Sequence, residues 1–295
     1  MRHDLDTLRL FVLVVDHGSI SAASEPGNMV TSAISRRLSE LEQSSGVALL
    51  RRKSRGVEPT AAGWAVYQHA KAILVQLRQM DCDISEHRSG INGSVRVWVN
   101  MTALCYYLPA QLHTFMAQYP GVTVELVEKL SDSIAHAVQA GEADLGICAP
   151  SASVRGVSED SYVTDPLVLI VPLAHKFAHR KRIAFEDTLS EKHIMMQSGA
   201  SIHTMAQIAA QVLDRQIRQS VLVTSFEAMR NMVAEGMGIA LIPEIALQGV
   251  DITRLHIVRL TDSWCVRKFK LLWNDNLPQS PAAARLLQHL QQHRR

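Results

Sequence analysis

The sequence predicts an all-α N-terminal part, joined by one long helix to a C-terminal α/β part of two subdomains. Three observations carry this. Residues 1–60 hold apolar positions at helical spacing and give no strand signal. Residues 61–86 carry one apolar stripe without a break. From residue 94 onward, alternating or continuous apolar runs alternate with helical patterns, and the pattern restarts after Pro166. Of the 295 residues 47% are apolar, more than one core accommodates, so two or three compact units are expected. Charged residues at 20% and only 10 prolines exclude wholesale disorder and fibrous repeats.

Element by element, Leu5, Leu8, Phe11, Val12 and Val15 form one helix face, with Asp4 as its cap and Gly18 at its end. Ser19 or Ser21 opens a second short helix, which Glu25-Pro26-Gly27-Asn28 turns off. A third helix starts near Thr31, with Ile34, Leu38 and Leu41 inward, and ends near Ser44-Ser45-Gly46. Between residues 36 and 55 six Arg/Lys stand against two acids, a local excess of +4 that exceeds the net +2 of the whole chain. Bulk charge identifies no partner, but this cluster is the footprint a nucleic acid would need.

Thr60 caps a helix over about 61–86, in which Val66, Tyr67, Ala70, Ile73, Leu74, Leu77 and Ile84 recur near a heptad. Such a stripe fits a second copy of the chain; the other reading is packing on the helix's own chain. Trp64 and Tyr67 are expected to pack the first part on this helix. Ser89–Gly93 is the break after it.

Strands are expected at Ser94–Asn100, Val122–Glu128 and Asp144–Cys148, with helices at about Leu104–Gln118 and Ile134–Ala140 between them, a βαβαβ unit. The second subdomain is read as strands Leu167–Val171, Ile194–Gln197, Val221–Thr224 and Gly238–Ile242, with helices Ile202–Asp214 and one running to Glu235 behind a Thr224–Glu227 capping box. Val266–Trp273 is a late strand, and Ser280-Pro281 opens a final helix. Tyr162–Asp165 and Val266–Lys268 are the crossings between subdomains.

Residues 18–63, with Ala22-Ala23, Ser35-Arg36, Leu41-Glu42, Gly46-Val47, Arg52, Arg55-Gly56 and Thr60-x-x-Gly63, resemble the LysR-type transcriptional regulators. LPAQLHTFMAQYPGVTVEL, AGEADLGI and SFEAMRNMVAEGMGIALIP resemble the effector domain of that family, in the expected order. The resemblance covers essentially the whole chain. It implies a winged helix-turn-helix over 1–60 (helix-turn-helix about 21–40) and a dimerising linker helix over 61–90. A periplasmic-binding-protein-like effector domain would fill 91–295, with subdomain I at about 91–163 and 267–295 and subdomain II at about 164–266. It also implies sequence-specific promoter binding under a small-molecule effector, in a homotetramer built as a dimer of dimers, with RNA polymerase as a further partner.

In such a reader the start of the second helix of the helix-turn-helix, here the third helix of the chain, meets base edges in the major groove. Here that start is Thr31, Ser32, Ser35 and Arg36. Arg51–Arg55 would be the wing, with Arg52 and Arg55 on the phosphate backbone or adjacent minor groove. Pro26, Gly27 and Val30 depart from the family pattern. Pro26 shortens the first helix of the helix-turn-helix, the one that crosses the backbone; Gly27 leaves the seam without a side chain, and Val30 removes a hydroxyl cap that Thr31 could replace.

The effector is expected between the subdomains, at strand-to-helix turns rich in hydroxyls: Asn100 and Thr102, Ser131, Ser198 and Ser201, Ser225 and Phe226. Helix N-termini and hydroxyls suit a small carboxylate or a neutral molecule, though plain helix capping explains the same residues. No basic residue is expected in these turns.

No GxSxG, HExxH or GxxxxGK[ST] occurs, so no enzyme, catalytic residue or cofactor is expected. His175/His179 and His289/His293 have metal-ligand spacing but lack a third ligand, so no metal is expected. Cys82, Cys105, Cys148 and Cys265 form no CxxC pair, which points to a reducing compartment; Cys105 and Cys148 read as core. The apolar run Leu10–Val15 is too short for a signal peptide or a membrane span, so a cytoplasmic chain is expected. The rival reading is a small-molecule binding module without DNA function.

Overall fold

The computed structural model describes residues 4–53, 56–86, 91–150 and 152–293. It divides into two compact units, one built on the N-terminal residues through the long helix and one on nearly all that follows.

In the first unit, α1 (Leu5–His17) is capped by the Asp4 carboxylate, which accepts from the Asp6 N–H, and Gly18 ends it in left-handed backbone. No regular second helix follows. Residues 20–28 form consecutive turns, in which the Ala23 and Gly27 N–H groups bond Ser19 O and Ala23 O. Pro26 lacks the N–H that would continue this into a helix. The expected helix at 19–25 is corrected to a turn series for that reason. A Cβ on Gly27 would meet Ala23 O at 2.7 Å and Leu10 Cδ2 at 3.0 Å, so the missing side chain lets the turn lie directly on α1.

α2 (Thr31–Ser45) starts at Val30, with no side-chain cap, so Thr31 does not replace the lost hydroxyl. Ile34, Leu38 and Leu41 pack with Leu8, Phe11, Val12 and Leu49 in one core. Burial of each contributes about 1.5–3 kcal/mol. The basic stretch is a hairpin, β1 (Leu50–Lys53) against β2 (Gly56–Pro59). This corrects the absence of strand expected before residue 60: four-residue strands rich in cations carry no apolar alternation to read.

α3 (Ala61–Glu86) follows. Tyr67 and Ala70 are buried in the same core and Val66 and Leu74 pack against it, while Ile73, Met80 and Ile84 are exposed.

The second unit has two lobes. In the first, β3 (Gly93–Val99) leads through a π-helical turn, Ala103–Tyr107, into α4 (Leu108–Gln118). Pro109 cannot donate to Cys105 O, and the Leu108 N–H bonds Ala103 O five residues back. Then come β4 (Val122–Glu128), α5 (Ser131–Gln139) and β5 (Leu145–Cys148), with β4 and β5 parallel to β3. β6 (Ser158–Pro172) is one long strand that passes from the first lobe into the second.

The second lobe adds β7 (Arg182–Ile183), the short α6 (Phe185–Thr188), β8 (Lys192–Met196), α7 (Ser201–Val212), β9 (Arg218–Val223), α8 (Phe226–Ala234), β10 (Ala240–Pro243) and β11 (Leu255–Leu260). β12 (Val266–Trp273) returns antiparallel beside β6 and β5, and α9 (Pro281–Gln292) closes the first lobe with Ser280 as cap. The sheet order is β4-β3-β5-β12-β6-β11-β7, with β10 also on β6.

The second lobe does not repeat the first. β10 and β11 run antiparallel to β6, and the parallel βαβ unit is β8-α7-β9. Apolar runs reveal strands but not their direction. The box at α8 also shifts by one residue: Ser225, not Thr224, accepts from Ala228 N–H.

Candidate DNA-reading surface and effector cleft

On the reader, α2 splits two adjacent arginines between two tasks. Arg37 turns inward, donating to Asp4 at 2.5 Å and to Thr7 at 3.2 Å, and so ties α2 to the cap of α1. Arg36 lies about 100° around the helix and is exposed. Its Nε donates to Glu40 at 2.9 Å, which pins the stem and leaves both Nη groups outward. Thr31 and Ser32 are exposed and Ser35 half-buried at the same end of α2.

The hairpin is fixed to α2 by Glu42, whose Oε1 accepts the Leu49 N–H at 2.7 Å and the Leu50 N–H at 2.9 Å. Gly56 sits at φ +96°, where a Cβ would lie 2.2 Å from Gly18 O. That close approach lets the Val57 N–H reach Gly18 O at 2.8 Å. At Gly63 a Cβ would lie 2.0 Å from Leu49 O, while Thr60 Oγ1 bonds Ala48 O and caps the Gly63 N–H. Each glycine thus seats the hairpin on a neighbouring backbone. Arg51 is exposed without a carboxylate partner among the described residues, and Lys53 pairs with Glu58. Arg52 lies on β1 between them; Arg55 lies outside the described residues.

Tyr67 is buried and donates to Asp16, which ties α3 to α1; Trp64, expected to share that packing, is 50% exposed and stacks edge-on with Tyr67 of its own helix at 5.3 Å. Burial and the Asp16 carboxylate push its phenol up to about 12.

In the second unit a cavity of about 190 Å³ opens between the lobes. That is about six waters' worth, room for a small metabolite. Asn100, Thr102, Ser131, Ser201 and Phe226 all line it, brought together from the ends of β3 and β4 and the starts of α7 and α8. Ser198 is exposed and does not line it; Ser225 is occupied as the cap of α8. Met101, Leu130, Met196 and Ile202 supply apolar wall, and Lys129 and Glu128 stand at the rim.

Arg267 also lines the cavity; it lies on β12, outside the turns in which no basic residue was expected. It is 2% exposed and pairs with the fully buried Asp165 directly across β6 and β12. Burial pushes its ionisation down and Asp165 opposes that. The signal was in the sequence: the crossing Tyr162–Asp165 carries one acid and Val266–Lys268 two cations, of which Arg267 lies opposite Asp165.

Cys105 is exposed rather than core; Cys148 and Cys265 are buried, and burial lifts both thiols to about 12. His175 contacts Glu191, and the His289 and His293 rings stack at 4.2 Å. Among the described residues no three side chains form a metal-binding group, and no helix is long and apolar enough to cross a membrane.

Residues 5–64 match the bacterial regulatory helix-turn-helix family model of the lysR family, and residues 88–295 match the LysR substrate binding domain. The chain belongs to the LysR family of transcriptional regulators. It is a DNA-binding regulator with an effector-binding domain. A probable RuBisCO transcriptional regulator of Synechocystis sp. is 25% identical over 97% of this chain and 85% of its own length. The RuBisCO operon transcriptional regulator of Allochromatium vinosum is 25% identical over 96% and 94%. Full-length CbnR complexed with its target DNA shares the fold, at TM-score 0.69 and 20% identity over 98% of this chain and 99% of that one. The regulatory domain of Synechocystis CcmR in complex with 2-PG superposes with TM-score 0.62 and 24% identity over 68% of this chain and 96% of that one.

Proposed function

We propose that this regulator reads promoter DNA with the start of α2 in the major groove and the β1–β2 hairpin on the flanking backbone. The observation that carries this is the division between Arg36 and Arg37: one guanidinium is spent on α1, and its neighbour projects from the surface beside Thr31 and Ser32. Short hydroxyl side chains let the helix approach closely, and an outward arginine fork suits guanine or phosphate. Arg51 and Arg52 reach phosphates from the hairpin.

The cavity between the lobes is the effector site, lined by Asn100, Thr102, Ser131, Ser201 and Phe226. Its ligand is a small carboxylate. Binding favours one closure of the lobes, and a coupling of about 1–3 kcal/mol suffices to change the spacing of paired readers. The exposed stripe Ile73, Met80 and Ile84, at spacings of 7 and 4, pairs with a second α3, and two dimers form the tetramer. The chain works in the cytoplasm, engages RNA polymerase at the promoter and catalyses no reaction.

Sequencing of DNA fragments retained by the full-length protein tests this. A short set of enriched sites whose footprints change length with a bound effector is expected. Uniform genomic recovery, or footprints indifferent to every metabolite fraction, overturns it.

A further inference from the structure

Asp165 and Arg267 stand on the two strands that cross between the lobes, and both are fully buried. Both Asp165 oxygens are engaged: Oδ2 by Arg267 Nε at 2.8 Å and by Nη2, and Oδ1 by the Tyr107 hydroxyl at 2.7 Å. Arg267 has further donors to place. Nη1 donates to Ser201 Oγ at 3.0 Å and Nη2 to Thr102 Oγ1 at 3.1 Å. Thr102 follows β3 in the first lobe, and Ser201 opens α7 in the second.

A hydroxyl that accepts from a guanidinium has one lone pair occupied and its O–H turned elsewhere. Neither hydroxyl donates to an acceptor among the described residues, and both line the cavity. Asn100 adds a third donor. It is more than nine-tenths buried, its Oδ1 accepts the Ala103 N–H at 3.0 Å, and Nδ2 has no partner among the described residues. A fourth group comes from α7, whose N-cap is Ala200 with no side-chain oxygen to satisfy the first N–H groups. The floor of the cleft therefore presents donors; Asp165 balances Arg267 from behind, and Glu128 and Lys129, which also line the cavity, bring one charge of each sign.

We propose that Arg267 is the positioning residue that sets this cleft for a small monoanion: it holds one lone pair of Thr102 and of Ser201, and so aims both O–H bonds at one carboxylate. The proposal rests on the effector reading of the cavity. A neutral amide brings one strong acceptor where a carboxylate brings two, and inorganic phosphate brings a second charge to a cavity whose lining charges, Glu128, Lys129 and Arg267 with Asp165 behind it, already sum to zero. Since the two hydroxyls belong to different lobes, a carboxylate that takes both bonds also fixes the closure.

The test uses full-length protein and three probes in calorimetric titrations: isovalerate, isovaleramide and inorganic phosphate. The wild type is expected to prefer isovalerate over isovaleramide by about tenfold or more and to take phosphate more weakly than isovalerate. Arg267→Met with Asp165→Asn removes both buried charges together, so no uncompensated charge remains. In that variant the preference falls to within about threefold. The ratio is the decisive readout, because a purely structural loss weakens acid and amide alike. Thr102→Val with Ser201→Ala is expected to lower the ratio in the same way with the ion pair intact.

A ratio that survives in both double variants overturns the role of Arg267 while leaving the effector site standing. Tighter phosphate than isovalerate overturns the monoanion class. Leu130→Trp fills the cavity from its half-exposed wall; isovalerate binding indifferent to it puts the ligand elsewhere and overturns the effector reading too. Absence of binding by all three probes overturns both.

Discussion

The uncapped start of the reading helix can be repaired, and the size of the repair follows from its geometry. Val30 is in extended backbone (φ −65°, ψ 144°) and makes no side-chain bond to the first turn of α2. It is 68% exposed, so Val30→Ser removes little buried apolar surface. A serine hydroxyl at this position accepts an N–H two or three residues on, which stabilises a helix by about 1 kcal/mol. That corresponds to about fivefold slower exchange of the amides in α2 where exchange proceeds through opening of this helix. The assay is hydrogen–deuterium exchange over residues 31–45 in the full chain. The substitution adds no charge, so the salt dependence of DNA binding should stay unchanged. Exchange as fast as or faster than in the parent would refute the reasoning that Val30 leaves the helix start unsatisfied.

Three further outcomes follow from named contacts. Burial holds His193 down at about 4, against an ordinary 6.5, with Nδ1 3.1 Å from Glu191 O and Nε2 3.2 Å from Thr188 Oγ1. Between those values the unfolded chain carries the extra proton, so stability is full above pH 6.5 and falls by about 3 kcal/mol as pH drops to 4; urea midpoints of wild type and His193→Gln, compared at pH 7 and 4.5, should show a smaller loss in the variant. Gly56→Ala forces a Cβ to 2.2 Å from Gly18 O at φ +96° and should destabilise the reader by about 2 kcal/mol or more, measured by thermal unfolding. Arg36→Ala removes an outward fork, and titrations across salt should show weaker DNA binding, with a log–log slope shallower by about one for each reader that touches a phosphate.

Legibility followed periodicity. α1, α2, α3 and the β3-to-β5 unit were readable because each carries a one-sided apolar pattern of eight or more residues or an alternating strand. The hairpin at 50–59 was not, since its strands are four residues each and show no alternation: three cations follow Leu50 in β1, and β2 is Gly-Val-Glu-Pro. Pro26 announced the broken helix at 19–28, but whether a turn series or a shortened helix resulted depended on Gly27 meeting Leu10. In the second lobe the strands were visible and their directions were not, because β6 crosses the lobe boundary as one strand and its partners return antiparallel.

The cleft was legible where it uses strand-to-helix turns, as at Asn100, Thr102, Ser131, Ser201 and Phe226. Ser225 misled because a capping hydroxyl and a ligand-facing hydroxyl have the same sequence context. Arg267 escaped because it lies inside a strand, and only its register opposite Asp165 shows why a charge can be buried there.

The measurement that bears most directly on DNA reading by α2 and the hairpin is the affinity of the full-length protein for an enriched duplex site between 50 and 200 mM salt. Three phosphates engaged by each of two readers give a log–log slope of about −5. A slope of that order is expected, flattening when Arg36, Arg51 and Arg52 are replaced by alanine. A slope near zero, or a duplex left unbound at low salt, would contradict that reading.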